Sequence, residues 1–278
     1  MRKEVRTPSP VLSSVSFPGQ ADPETTLNLL WGSPPAAEAA RRGPKRSLSA
    51  TVIGTAALEL ADEGGLAALS MRALGARLGV APMALYRYVP NKDVLLELVL
   101  EAAYAQLPDD LPPGADWQTC LRTVATDAWN HYRRHPWILQ IALQRPSLGP
   151  HAIRKYEREL RAIEGAGLTD LDMDLMVAVV SDYVRGSAHS ATEATSAASQ
   201  TGQSDAQWWA AHATHLERLL VPEQFPLAVR VGSAAGAAYG GPTDPARSFE
   251  FGLARLIDGL ALHVAKERGG ATGQRGAR

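Results

Sequence analysis

Residues 70–92 read SMRALGARLGVAPMALYRYVPNK, and the fold of the whole chain turns on them. Ser70 can cap a helix, because its hydroxyl accepts from an otherwise unpaired backbone N–H. Leu74 and Leu78 then share one helical face. Gly79 ends that helix, since glycine enters the left-handed region without a Cβ clash. Pro82 suits the first turn of a second helix, where its missing N–H costs nothing. Leu85 and Val89 give that helix an inner side. Pro90 stops it, and Asn91 can cap a third.

Two short helices joined by a tight glycine turn make a helix-turn-helix, whose second helix enters the DNA major groove. The outward residues suit that work. Arg72 and Arg87 can reach guanine edges or phosphates. Tyr86, Tyr88 and Lys92 carry donors that phosphate oxygens accept from. Spacing alone leaves a second reading open, an ordinary pair of surface helices with scattered arginines.

Charge is distributed to match the first reading. The chain has 278 residues and a net charge of −1. Between Arg41 and Lys92, however, eight basic residues face three acidic ones, a local net of +5. A basic concentration on one segment is the footprint of a nucleic-acid reader. Hydrophobic residues make up 45%, enough for a real core. The single cysteine, Cys120, excludes an intrachain disulfide and a cysteine zinc site. No apolar run approaches the roughly 20 residues of a membrane span, and no apolar core of a signal peptide follows Arg2 and Lys3. A cytoplasmic location is expected.

Working outward, residues 1–40 are rich in Pro, Ser, Ala and Thr and are expected to be disordered. One apolar island, residues 27–31, could be a short interaction helix or a less polar piece of tail. Arg41, Arg42, Lys45 and Arg46 form a basic arm that either follows the phosphate backbone or is a solvated linker. A first helix over 49–63 carries Val52, Ile53, Ala56, Ala57 and Leu60 as one stripe, and Gly64-Gly65 ends it. A helix over 92–106 has Val94, Leu95, Leu98, Val99 and Ala102 on its buried side. Further helical patterns run over 117–145, 151–165, 175–198 and 208–220. Residues 221–241, rich in Gly and Ala, are expected to be poorly ordered in part. Asp244 and Pro245 announce a last helix with Phe249, Leu253, Leu256, Ile257, Leu260 and Val264 on one stripe.

The run 48–100 resembles the DNA-binding domain of the TetR family of bacterial transcriptional regulators. The matching pieces are SATVIGTAALELADEGG, LSMRALGARLGV and ALYRYVPNKDVLL. HPW at 135–137 and FEFGLARLIDGL near the end resemble the subgroup with a tetracycline-repressor-like C-terminal domain. The resemblance implies an all-α fold, with a three-helix head containing the helix-turn-helix and a C-terminal helical domain for ligand binding and dimerisation. It divides the chain into an extension with the basic arm (1–46), the head (47–92), the regulatory domain (93–268) and a short disordered tail (269–278). It also implies that 81–88 is the recognition helix, with Pro82, Met83, Ala84 and Arg87 facing the groove. Arg72 matches a position that can contact guanine, and Ser70, Tyr86, Tyr88 and Lys92 match phosphate-contacting positions. The chain departs from the family at Ala81, Pro82 and Met83, which offer no side-chain hydrogen bond. Readout there must lean on thymine methyls or on operator shape. The 175–198 helix and the last helix resemble the family's dimerisation pair, which makes a four-helix bundle with its copy.

The regulatory part is expected to hold a small, largely apolar effector. Candidate lining residues are Trp129, Tyr132, Trp137, Tyr156 and Tyr183, with Gln140, Gln144 and His189 as polar anchors; any single aromatic among them can equally be plain core. His131 and His135 stand four apart, a spacing that can bind metal. Two arginines lie between them, no acidic ligand is adjacent and Pro136 interrupts the helix, so no metal and no cofactor is assigned. No phosphate loop, Gly-x-Ser-x-Gly elbow or His-Glu-x-x-His is present. The expected partners are operator DNA, a second copy of the chain and a small molecule. Two other readings remain: a regulator controlled by a protein partner instead of an inducer, and an all-helical small-molecule carrier.

Overall fold

The structure, a computed structural model, describes residues 22–32, 48–141, 143 and 145–275. The basic arm and Gln144 lie outside the described residues. The described chain is helical: α1 (Pro23–Trp31), α2 (Ala50–Ala68), α3 (Met71–Leu78), α4 (Pro82–Leu85), α5 (Lys92–Tyr104), α6 (Trp117–Arg134), a 3-10 turn (Pro136–Gln140), α7 (Pro150–Ile163), α8 (Asp170–Thr201), α9 (Asp205–Leu219), α10 (Pro226–Tyr239) and α11 (Pro245–Arg275). It forms two compact units, Met1–Leu111 with Asn130–Ala162, and Pro112–Trp129 with Ile163–Arg278.

The first unit is built on α2 and α5. Ser49 caps α2 by accepting from the Val52 N–H at 3.2 Å. At Gly64 and Gly65 the backbone leaves the helical region, with Gly65 at φ 67°, so the first helix ends where the glycine pair predicts. Gly54 of α2 lies so close to α5 that an added Cβ would sit 2.9 Å from the Leu98 carbonyl oxygen. The sequence suggested one apolar side on α5, yet every residue from Val94 to Glu101 is buried. A helix apolar almost all round is enclosed on several sides. Here α2 and α1 both pack on it.

Two carboxylates make the long-range ties of this unit. Asp62, near the end of α2, accepts from the Trp137 indole N–H at 2.8 Å and from His135 Nδ1 at 2.7 Å. Both partners are about 99% buried. Glu101 of α5 accepts from the backbone N–H groups of His151 and Ala152 at 2.8 and 3.0 Å. It thereby supplies the negative charge that the first turn of α7 favours. Gly149 makes this possible, since a Cβ there would lie 2.2 Å from the Glu101 carboxyl carbon. Arg158 of α7 donates to the Asp110 carbonyl through Nε and Nη2.

In the second unit, α8 and α11 pack on one another. Tyr183 of α8 donates its hydroxyl to the Phe249 carbonyl at 2.9 Å. Phe249 stacks on Trp129 with ring centres 4.2 Å apart. Asp244 caps α11 through the Arg247 N–H at 3.0 Å, and α11 continues to Arg275, past the expected start of a tail at 269. The expectation of partial disorder over 221–241 does not hold, because α10 occupies 226–239. Alanine is the strongest helix former; Pro226 opens the helix and Gly240, at φ 61°, closes it. Two of the four glycines over 221–241, Gly232 and Gly236, lie inside the helix, where the alanines around them carry it, and Gly240 and Gly241 stand at its end.

The island at 27–31 belongs to α1. Asp22 caps it from the Thr25 N–H at 2.8 Å, and Pro23 opens it.

Candidate nucleic-acid interface

The helix-turn-helix forms as the spacing predicts. Ser70 accepts from the Ala73 N–H at 3.1 Å and starts α3. Gly79 takes φ 69° and turns the chain. Leu74, Leu85 and Val89 have no exposed surface, so α3 and α4 are pinned from the inside. The helix expected over 81–88 is shorter: α4 proper ends at Leu85, whose carbonyl then accepts from both Tyr88 and Val89. Residues 86–88 continue it as turns, and Asn91 starts α5 by accepting from the Val94 N–H at 2.9 Å.

The candidate contacts stand outside this apolar base. Ser70, Arg72, Pro82, Met83, Tyr86, Arg87 and Lys92 are exposed, while Ala84 and Tyr88 are half-buried. Met83 is 75% exposed, a large apolar side chain at the tip of α4. Among the described residues Arg72, Arg87 and Lys92 have no carboxylate partner. Arg77 differs, although the sequence ranks it with them as a cation of the head. Its guanidinium bonds Glu59 at 3.1 Å and Glu63 at 2.9 Å, with a second, shorter bond to Glu63. Those bonds push Arg77 further up and hold Glu63 below the usual carboxylate range. Ion pairing thus removes Arg77 from the free charge, leaving Arg72 on α3, Arg87 just after α4 and Lys92 at the start of α5.

The candidate effector residues fall into two sets. In the first unit Tyr132 and Trp137 are buried, while Gln140 and Tyr156 are exposed. Trp137 already spends its indole N–H on Asp62. In the second unit Trp129, Phe249 and Tyr183 come together as a stacked column. His189 is exposed, 3.5 Å from Glu193. Burial above all pushes His131 down to about 3, helped by His135, Lys155 and Arg134, so its imidazole is neutral at pH 7. Sequence reasoning missed the roles of Asp62 and Glu101. Only the fold brings their long-range partners to them.

Among the described residues no group of three or more His, Cys, Asp or Glu could hold a metal ion. No helix of the described residues is long and apolar enough to cross a membrane.

Comparison with known proteins places this geometry. Residues 53–99 match the family model for bacterial regulatory proteins of the tetR family, and 108–264 match the tetracyclin repressor-like C-terminal domain. The HTH-type transcriptional repressor DrrR1 of Streptomyces coeruleorubidus is 38% identical over 258 residues, covering 92% of each chain. Among solved structures, apo ActR from Streptomyces coelicolor superposes with a TM-score of 0.65 at 26% identity, over 80% of this chain and 99% of that one. ActR in complex with actinorhodin gives 0.63 at 26% identity, over 78% and 99%. With the reading head, the C-terminal domain and a repressor relative all matching along their length, the chain belongs to the TetR family of bacterial transcriptional regulators.

Proposed function

We propose that the protein is a homodimeric repressor that leaves a palindromic operator when a small, largely apolar molecule binds its regulatory part. The observation that carries the DNA half is the arrangement of the head. Arg72, Arg87 and Lys92, which have no carboxylate partner among the described residues, and the Met83 tip project from a base that Leu74, Leu85 and Val89 pin from inside. Phosphates would be met by Ser70, Tyr86, Tyr88 and Lys92, and base edges by Arg72, Arg87 and the apolar tip.

The dimer half rests on apolar faces that the chain itself leaves uncovered. Helix α8 buries Val177, Val180, Val184 and Ala188 on one side, yet Leu171, Leu175 and Val179 on another side are 67%, 52% and 46% exposed. Helix α11 likewise leaves Phe251 and Leu262 at 65% and 68%. A second copy would bury both faces as a four-helix bundle. Two heads on a two-fold axis then demand half-sites one helical turn or a multiple apart.

The effector reading is supported by the ActR complex with actinorhodin and by the aromatic column Trp129–Phe249–Tyr183. Release requires the effector to favour the DNA-incompetent state, and a hundredfold preference corresponds to about 2.7 kcal/mol.

Selection of duplexes from a random-sequence pool by the purified protein tests the proposal. A palindrome bound with strong salt dependence is expected. Weak binding to every duplex without enrichment would refute the DNA reading. A palindrome that no compound releases would favour control by a protein partner.

A further inference from the structure

Helix α1 lies outside both family matches, which begin at 53 and end at 264. It is nevertheless docked. Thr26 and Leu30, one turn apart, are 8% and 7% exposed, and the helix packs on α5. From the end of α1, the Trp31 indole N–H donates to the Leu148 carbonyl at 2.8 Å. Leu148 precedes Gly149, the residue that admits Glu101, and Glu101 of α5 holds the first N–H groups of α7. The contacts therefore close a ring, running from α1 to α5, through Glu101 to the start of α7, through Leu148 and back to Trp31.

We propose that the face of α5 together with residues 145–149 is a docking surface for this chain's own segment 22–32, and that the docked helix sets how firmly α5 is held. The coupling to DNA rests on the operator-binding reading above; the docking itself does not. Two side chains at i and i+4 laid against a groove are the usual anchors of a bound helix. The anchoring is slight, because two buried side chains and one indole bond must offset the ordering of a nine-residue helix. Such a contact is reversible, so it acts as an adjustable strap. Helix α5 follows directly on the helix-turn-helix, so what steadies α5 steadies the reading head. Linkage is reciprocal: if docking favours the DNA-competent geometry, operator binding favours docking by the same factor.

The test uses the full chain with Leu30→Asp, which puts a charge on the buried anchor, and with Trp31→Phe, which keeps the ring and removes its donor. Hydrogen exchange is followed at the His151 and Ala152 amides and along 92–104. Leu30→Asp should speed exchange at those two amides at least tenfold, Trp31→Phe less, with the circular dichroism of both unchanged. A synthetic peptide of residues 20–34 added to the Leu30→Asp protein should restore the slow exchange. Affinity for the selected duplex should fall at least fivefold and recover with the peptide. Unchanged exchange in the folded Leu30→Asp protein would overturn the docking, and altered exchange with unaltered affinity would overturn the coupling. If the wild-type protein selects no duplex, the operator reading fails, while the exchange measurement still decides the docking.

Discussion

Replacing Asp62 by alanine probes the tie between α2 and the 3-10 turn. The carboxylate accepts from Trp137 Nε1 and His135 Nδ1, and the partner side chains are about 99% buried. Removing it strands two donors that water does not reach from their own side. A buried unpaired donor costs about 1–3 kcal/mol, which sets a ceiling of about 6 kcal/mol for the pair. The Asp62 side chain is 34% exposed, however. Water entering the space it leaves would satisfy part of that demand, so about 2–3 kcal/mol is expected. Both donors meet the same oxygen, Oδ1, so Asp62→Asn keeps that acceptor, loses only its charge and should cost clearly less than Asp62→Ala. Urea unfolding followed by tryptophan fluorescence measures both, with the shift in midpoint converted through the slope. The decisive comparison is a double-mutant cycle with Trp137→Phe. In that background one donor is already gone, so Asp62→Ala should cost about 1 kcal/mol less than in the wild type. A loss below about 0.5 kcal/mol for Asp62→Ala, or equal losses in both backgrounds, would refute the assignment of Asp62 as the acceptor that joins these elements.

Other expectations follow from the same contacts. Gly149→Ala drives a Cβ into the Glu101 carboxylate at 2.2 Å, so the cap on α7 must break, and thermal unfolding should report a loss of about 1–3 kcal/mol. His131 has its folded pKa depressed to about 3 by burial, so the unfolded chain binds the extra proton first. Stability should be complete above about pH 6.5 and fall as pH drops below it, by up to about 1.4 kcal/mol per unit, and His131→Phe should flatten that limb in pH-dependent unfolding. Arg72→Ala or Arg87→Ala should cost about 1–3 kcal/mol on the selected duplex if the guanidinium is bidentate to guanine, whereas equal loss on all sequences would assign it to phosphate. Leu175→Glu on the uncovered face of α8 should yield monomers in light scattering, while a persisting dimer would move the interface elsewhere.

How much of this was legible depends on how local the cause is. The head was readable because caps, turns and breakers act within four residues of themselves. Ser70, Gly79, Pro82 and Asn91 each do in the structure what their type and position predict, whereas Pro90 does not stop the second helix, which already ends at Leu85. The outward arginines were readable too, because helical spacing separates them from Leu74 and Leu85. The free charge of the head was not. Arg77 looks like Arg72 in the sequence, but it stands 14 and 18 residues from the carboxylates that hold it. The effector site was legible only as composition. An aromatic in a helix reads alike whether it lines a site or fills a core, and Trp137 is committed by a partner 75 residues away.

By itself the sequence determined the helix-turn-helix, the family and most of the helices, though not α10 or the end of α6 at Arg134, since hydrophobic period, capping and turn chemistry are short-range and additive. Tertiary structure decided which polar groups are spent and which are free. It paired Asp62 with His135 and Trp137, set Glu101 on the first turn of α7, enclosed α5 on several sides and laid α1 against it. The physical reason is that a side chain's hydrogen-bonding and burial depend on what chain folding brings within 3 Å or so, and no local pattern carries that distance.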